Sequence, residues 1–179
     1  MLKIIKEYIT YFPVSEFWIM FHETLLEYVR QGIKPLQYVS LELLSLLILY
    51  NYDIEEADNI IETIITEFAQ SSSSYMNNLY INFFEICWNQ PFTISVIEEK
   101  LLDPFIEVSK SPHKSVKLKC LKTIPKLKYL LTDTDVNEEI QSMLVRYSED
   151  KTQDLTVETE EINFLLFKWK KEAKTKEGQ

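Results

Sequence analysis

Residues 101–131 read LLDPFIEVSKSPHKSVKLKCLKTIPKLKYLL, and the alternation of apolar and basic positions in this stretch decides the fold. The first half predicts a helix over 101–110, carrying Leu102, Phe105, Ile106 and Ser109 at helical spacing. Ser111-Pro112 forces a turn, because proline can neither donate a backbone hydrogen bond nor clear the preceding helical carbonyl. The second half predicts a longer helix. At about 100° per residue, Val116, Cys120, Ile124, Leu127 and Leu131 fall on one face, and Lys119, Lys122 and Lys126 fall on the opposite one. One face packs and the other meets water or a partner.

Similar helix pairs follow outward in both directions. Asp53 with Glu56, Ser95 with Glu98, and Asp135 with Glu138 each have capping-box spacing, and Ser15 reads as the N-cap of an earlier helix. These starts recur about every 40 residues, the period of paired-helix solenoids. The expected units are 15–51, 53–90, 94–131 and 135–173. An amphipathic helix over 1–12, with Leu2, Ile5, Ile9 and Phe12 in one stripe, precedes them as a cap. A single all-α domain over 1–174 and a flexible basic tail over 175–179 complete the chain. The 35–50 helix is apolar almost all round, with Leu36, Val39, Leu43, Leu44, Leu47 and Ile48, and is expected to be central. The last helix is expected to pack through Val157, Ile162, Leu165, Leu166 and Trp169.

Composition narrows the alternatives. The 179 residues include only two glycines. Sandwiches, barrels and nucleotide-binding βα units need glycine at turns and close backbone approaches, so this scarcity favours helices. Cys87 and Cys120 sit inside apolar helical patterns and read as small buried hydrophobes in a reducing compartment. No apolar run reaches the roughly 20 residues of a membrane span, and Lys3, Lys6 and Glu7 break up any signal segment. A cytoplasmic or nuclear protein that is neither secreted nor inserted into a membrane is expected. Net charge is −9, and because the residues from Lys168 onward carry five lysines against two glutamates, the rest of the chain carries −12. Such a field argues against nucleic acid as the main partner.

Candidate chemistry is sparse. His22-Glu23 begins like the zinc motif H-E-x-x-H, but Leu26 stands where the second histidine is required. His113 lies in a turn without metal-ligand neighbours at suitable spacing. Paired carboxylates such as Glu55-Glu56 and Glu98-Glu99 point in diverging directions on a helix and suit capping better than acid–base work. No catalytic residue, cofactor or metal is expected. Tyr75, Tyr80, Phe84 and Trp88 form an aromatic strip that reads as core before it reads as a partner surface. The sharpest candidate for partner binding is the lysine set Lys110, Lys114, Lys117, Lys119, Lys122 and Lys126, with Lys128 beside it. A basic face on an acidic protein can dock an acidic or phosphorylated segment. The plainer reading is that these lysines solvate a helix and pair with the acidic residues of the 53–67 helix or the 149–161 segment.

Asp103-Pro104, the Ser-Pro-His-Lys-Ser turn, Val116-Lys117, and then Cys120, Ile124 and Leu127 resemble the HEAT-repeat pattern. Residues 154–166 with Val157, and residues 35–47 with Val39, repeat it more weakly, while the 75–88 helix lacks the Val-basic pair. The resemblance implies a right-handed stack of helix pairs in the armadillo-like class, serving as a scaffold, adaptor or regulatory subunit. The phrasing around Val116 to Leu127 is most similar to scaffold and regulatory subunits of protein phosphatases 2A and 4. That likeness implies a phosphatase catalytic subunit as partner, met by the turns at 31–35, 70–74, 110–114 and 150–154. A HEAT-fold nucleic-acid or DNA-repair protein of the alkylpurine glycosylase type is the alternative, and a piece of a longer solenoid is a third reading.

Overall fold

The computed structural model describes residues 14–50, 55–90, 96–127, 134–150 and 153–177. Among them are eight α-helices and no strand. Helix α1 spans Val14–Gln31 and α2 Lys34–Tyr50. Helix α3, Glu55–Ile64, runs on through a π-helical turn, Ile65–Ala69, and α4 spans Ser74–Trp88. A second π-helical segment, Ile97–Leu102, leads directly into α5, Asp103–Ser109. Helix α6, Lys114–Thr123, ends in a 3-10 turn, Ile124–Leu127. The chain closes with α7, Thr134–Ser148, and α8, Gln153–Glu177.

Local rules explain several of these boundaries. Gly32 ends α1 with φ of 77°, a left-handed conformation that glycine adopts without a Cβ penalty. An alanine there would also place its Cβ 2.8 Å from the Tyr75 hydroxyl oxygen. Pro104 has no N–H to return to Lys100, and the switch from π-helical to α-helical pairing falls at that step. Pro125 acts the same way on α6. A regular helix was expected to continue toward Leu131, but the α-helix stops at Thr123 and tightens into the 3-10 turn. Ile124 and Leu127 nevertheless remain fully buried. Ser15 lies inside α1 instead of capping it, and Asp135 lies inside α7. Asp53, Ser95, Leu131 and residues 1–12 fall outside the described residues.

The even-numbered helices start in close register at Lys34, Ser74, Lys114 and Gln153. The first turns of α2, α4 and α6 share one backbone bond: Gln37 donates its N–H to Ile33, Asn77 to Ser73, and Lys117 to His113. Ser73 and His113, the residues before α4 and α6, share extended backbone angles of −81°, 122° and −80°, 119°. Packing follows the same order. Helix α2 lies against α4, α4 against α6, and α6 against α8; the π-helical end of α3 touches α5, and α5 touches α7.

A continuous core runs between these contacts and includes Leu26, Leu44, Phe68, Phe83, Phe105, Cys120 and Leu144. Phe84 and Phe105 stack with ring centroids 4.6 Å apart and planes 15° from parallel. Each such ring contributes about 1.5–3 kcal/mol through its removal from water. Leu79, Phe83, Ile86 and Cys87 of α4 are buried, as are Ala57, Ile61 and Ile64 of α3 and Phe68 of its π-helical turn. Two expectations fail. Leu36 is exposed while its neighbour Gln37 turns inward to Tyr75 of α4, and Val157 is exposed because α8 buries Leu155, Thr159, Ile162 and Leu166 instead. The Trp169 side chain lies outside the description.

Buried polar side chains close the helix ends. Asn77 donates from its amide nitrogen toward the carbonyls of Phe68, Ala69 and Ser71 at 3.0, 3.1 and 2.9 Å. Gln37, in the equivalent position one unit earlier, donates to the Val29 carbonyl at 2.6 Å. Tyr80 and Tyr147 donate their hydroxyls to the Leu101 and Ser109 carbonyls at 2.7 and 2.6 Å. Orphan carbonyls left by helix termini are thereby satisfied in an otherwise apolar interior.

Candidate interaction surface

The lysine set is distributed by α6 and its two flanking turns, and the members differ in what they meet. Lys122 is exposed, as is Lys114 at the first turn of α6. Lys110 is exposed and ion-pairs with Glu107 one turn earlier. Lys117 is half-buried; its ammonium bonds to Asp150 at 2.7 Å and lies 5.9 Å from the centroid of the Tyr147 ring. Lys126 pairs with Glu85 of α4 at 2.9 Å.

Lys119 departs from the sequence reading, which set it on the face opposite the core. Its ammonium reaches across to α4 and donates to the Asn78 carbonyl at 2.8 Å and the Asn82 side-chain oxygen at 2.5 Å. Burial lowers the pKa of this ammonium from its ordinary 10.5, with the Glu85 carboxylate opposing the shift. The physical reason for the departure is the width of a stacked helix. A long aliphatic stem can lie along the neighbouring helix while its charged head finds oxygen at the margin. Lys110, Lys114, Lys122 and Lys126 therefore retain the exposed basic character, Lys126 while paired with Glu85, and the half-buried Lys117 and Lys119 tie α6 to its neighbours. Of the acidic segments expected to pair with the lysines, the one containing Asp150 does so. The α3 carboxylate Asp58 pairs instead with Lys100, a lysine outside the set.

Other candidates resolve differently. Tyr80 and Phe84 are fully buried, Trp88 packs partly against the core, and only Tyr75 of the aromatic strip is exposed. The Tyr75 hydroxyl meets the Gln37 amide at 2.6 Å. His22 lies 3.4 Å from Glu23 on the α1 surface, and His113 places Nε2 3.3 Å from the Ser72 carbonyl of the preceding unit. Among the described residues no group of three His, Cys, Asp or Glu side chains is disposed to hold a metal ion, and no helix is long and apolar enough to cross a membrane. Both cysteines are buried free thiols, and burial pushes the Cys120 thiol up from 9.0 to about 12.

Two features escaped the sequence reading. A shallow cleft of about 440 Å³ between α5 and α7 is lined by Lys110, Arg146, Glu138, Glu139, Ser142 and Ile106. Arg146 meets Ser109 there at 3.4 Å, whereas Arg30, near the end of α1, holds Glu67 with two bonds of 2.9 and 2.7 Å. The second feature is the pair Phe164 and Phe167, both largely exposed on α8. Their signal was present: Phe164 stands two residues from Ile162 and from Leu166, out of phase with the stripe those residues define. Comparison with protein-family models, curated proteins and solved structures finds no match for this chain.

Proposed function

We propose that this chain is a HEAT-like right-handed α-solenoid of about four helix pairs, acting as a non-catalytic scaffold, adaptor or regulatory subunit that binds protein partners. The observation that carries this reading is the register of the side-chain bonds between units. Gln37 with Tyr75, Thr123 with Glu85, and Tyr147 with Ser109 are each 38 residues apart. Arg30 with Glu67 and Arg146 with Ser109 are each 37 apart. Bonds that cluster near such offsets, with Lys119 to Asn78 at 41 and Lys100 to Asp58 at 42 beside them, are what a stack of similar units produces, since each unit contacts its sequence neighbours.

The stacking is tested by spin-label distances between the starts of the even-numbered helices. Labels at Lys34, Ser73 and His113 should be separated by about 10 Å per unit, so that the outer pair measures about twice either inner pair. An outer distance no longer than the inner ones defeats the stack. The partner class is tested by titrating the full chain with a purified catalytic subunit of the phosphatase 2A type, and with acidic and phosphorylated peptides. Binding that weakens with salt and is lost in K110E/K122E assigns the exposed lysines as the docking face. Binding indifferent to both removes them from it.

A further inference from the structure

The outer face of α8 is apolar where a solvated helix would be polar. Val157, Phe164 and Phe167 are 51%, 70% and 68% exposed, although α8 already buries Leu155, Ile162 and Leu166 along its inner edge. At about 100° per residue, Val157, Glu161, Phe164 and Lys168 form one stripe opposite that edge, and all four are exposed. Phe167 lies about 60° to one side of Phe164, and two neighbouring exposed rings beside Val157 mark an interaction surface.

Register identifies what kind of surface it is. Helix α4 starts at Ser74 and α8 at Gln153, so Val157, Glu161 and Phe164 correspond to Asn78, Asn82 and Glu85. Those three α4 residues are the ones that α6 grips: Lys119 bonds to Asn78 and Asn82, and Thr123 and Lys126 bond to Glu85. The α8 stripe therefore occupies the position on which a further helix stacks. Val157 and Phe164 are apolar where α4 has Asn78 and Glu85, and Glu161 is polar like Asn82.

Charge identifies the occupant. Before Phe164 the helix carries Glu158, Glu160 and Glu161; after it come Lys168, Lys170 and Lys171. Two such helices laid antiparallel about Phe164 bring each acidic half against the other's basic half, whereas a parallel approach opposes like charges. A two-fold pair of this kind is self-complementary. We propose that α8 pairs with α8 of a second copy of this chain, antiparallel about Phe164, with Phe164 and Phe167 of both copies covered and Glu160 of each facing Lys168 of the other. This inference rests on the stacking register proposed above. One helix pair buries less than the roughly 1,200 Å² of a standard interface, so the dimer is weak, with Kd of about 10–100 µM.

Sedimentation equilibrium of the full chain over about 1–300 µM should show a monomer–dimer equilibrium with that Kd. F164D should remain monomeric throughout, with unchanged helical circular dichroism and Tm because the ring is exposed. E160K/E161K and K168E should each weaken self-association about tenfold. An equimolar mixture of these two variants should pair again, since every facing charge is then complementary. A wild-type chain monomeric across the range overturns the proposal and leaves the stripe to a different protein. A dimer that survives F164D, or a mixture that fails to pair, also overturns it. Spin-label distances that keep their per-unit spacing in the same sample confine such a failure to the pairing and leave the stack intact.

Discussion

Asn77 shows how much a single residue can carry without announcing itself. Its amide faces three carbonyls that terminate the α3 segment and the following turn, and Gln37 repeats that role for α1. In the sequence both are polar interruptions of apolar helices; only folding brings the carbonyls to them. Gly32 is the residue where the backbone itself is committed. G32A should cost about 1–2 kcal/mol for the left-handed conformation, and more through the contact with Tyr75. G32A/Y75F, lacking the obstructing hydroxyl, should lose less stability in urea than the sum of the single variants. Cys120 gives a pH signature. Its folded-state pKa is raised by burial, so the unfolded chain releases the proton first, and the stability it contributes is complete below pH 9 and declines from there through about 12. Lys119, lowered by burial, acts with the opposite sign. Urea midpoints between pH 8 and 10.5 should therefore fall less steeply in C120A than in the wild type, whatever the constant cost of the lost sulfur.

At the scale of the element, the two prolines decide what hydrophobic periodicity alone does not. A run of apolar residues from Val116 to Leu131 predicts one long helix, yet Pro125 removes an amide and clashes with the carbonyl four residues back, so the last turn tightens. The burial of Ile124 and Leu127 survives because residues three apart eclipse in a 3-10 turn, so both stay on one face. Pro104 likewise marks the join between the π-helical segment and α5. Immediately after it, Phe105 enters the core and stacks on Phe84, which couples α5 to α4. F105A should cost about 3–5 kcal/mol in equilibrium unfolding. A loss below about 1 kcal/mol would mean that the neighbouring rings refill the space or that the stack contributes little.

At the scale of the molecule, side-chain bonds join α1 to the π-helical end of α3, α2 to α4, α4 to α6, and α5 to α7. In the stack proposed above, contacts of this order would make each unit depend chiefly on its neighbours. L127A should remove about 2–5 kcal/mol, and hydrogen exchange should rise most in α4, α6 and α8 and least in α1. Uniform acceleration across all helices would instead indicate a single cooperative core. The basic face is also a property of the assembled molecule. Six lysines clustered in sequence become two half-buried ones, Lys117 and Lys119, that tie α6 to the turn after α7 and to α4, and four exposed ones, of which Lys110 and Lys126 are ion-paired.

Helical class was legible in the chain because it is local, whereas the period near 40 residues was read partly from caps at Ser15 and Asp135 that lie inside their helices. Scarce glycine, apolar spacing and turn residues act within one or two elements, and the even-numbered helices start at that period. The direction of each long side chain was not legible. Lys119 turns inward because Asn78 and Asn82 of another helix offer it oxygen, and Val157 and Phe164 face outward because α8 meets α6 through a different edge. Amphipathic pattern tells a helix which side prefers to be dry; only its neighbours decide which side is covered and which polar heads find partners there.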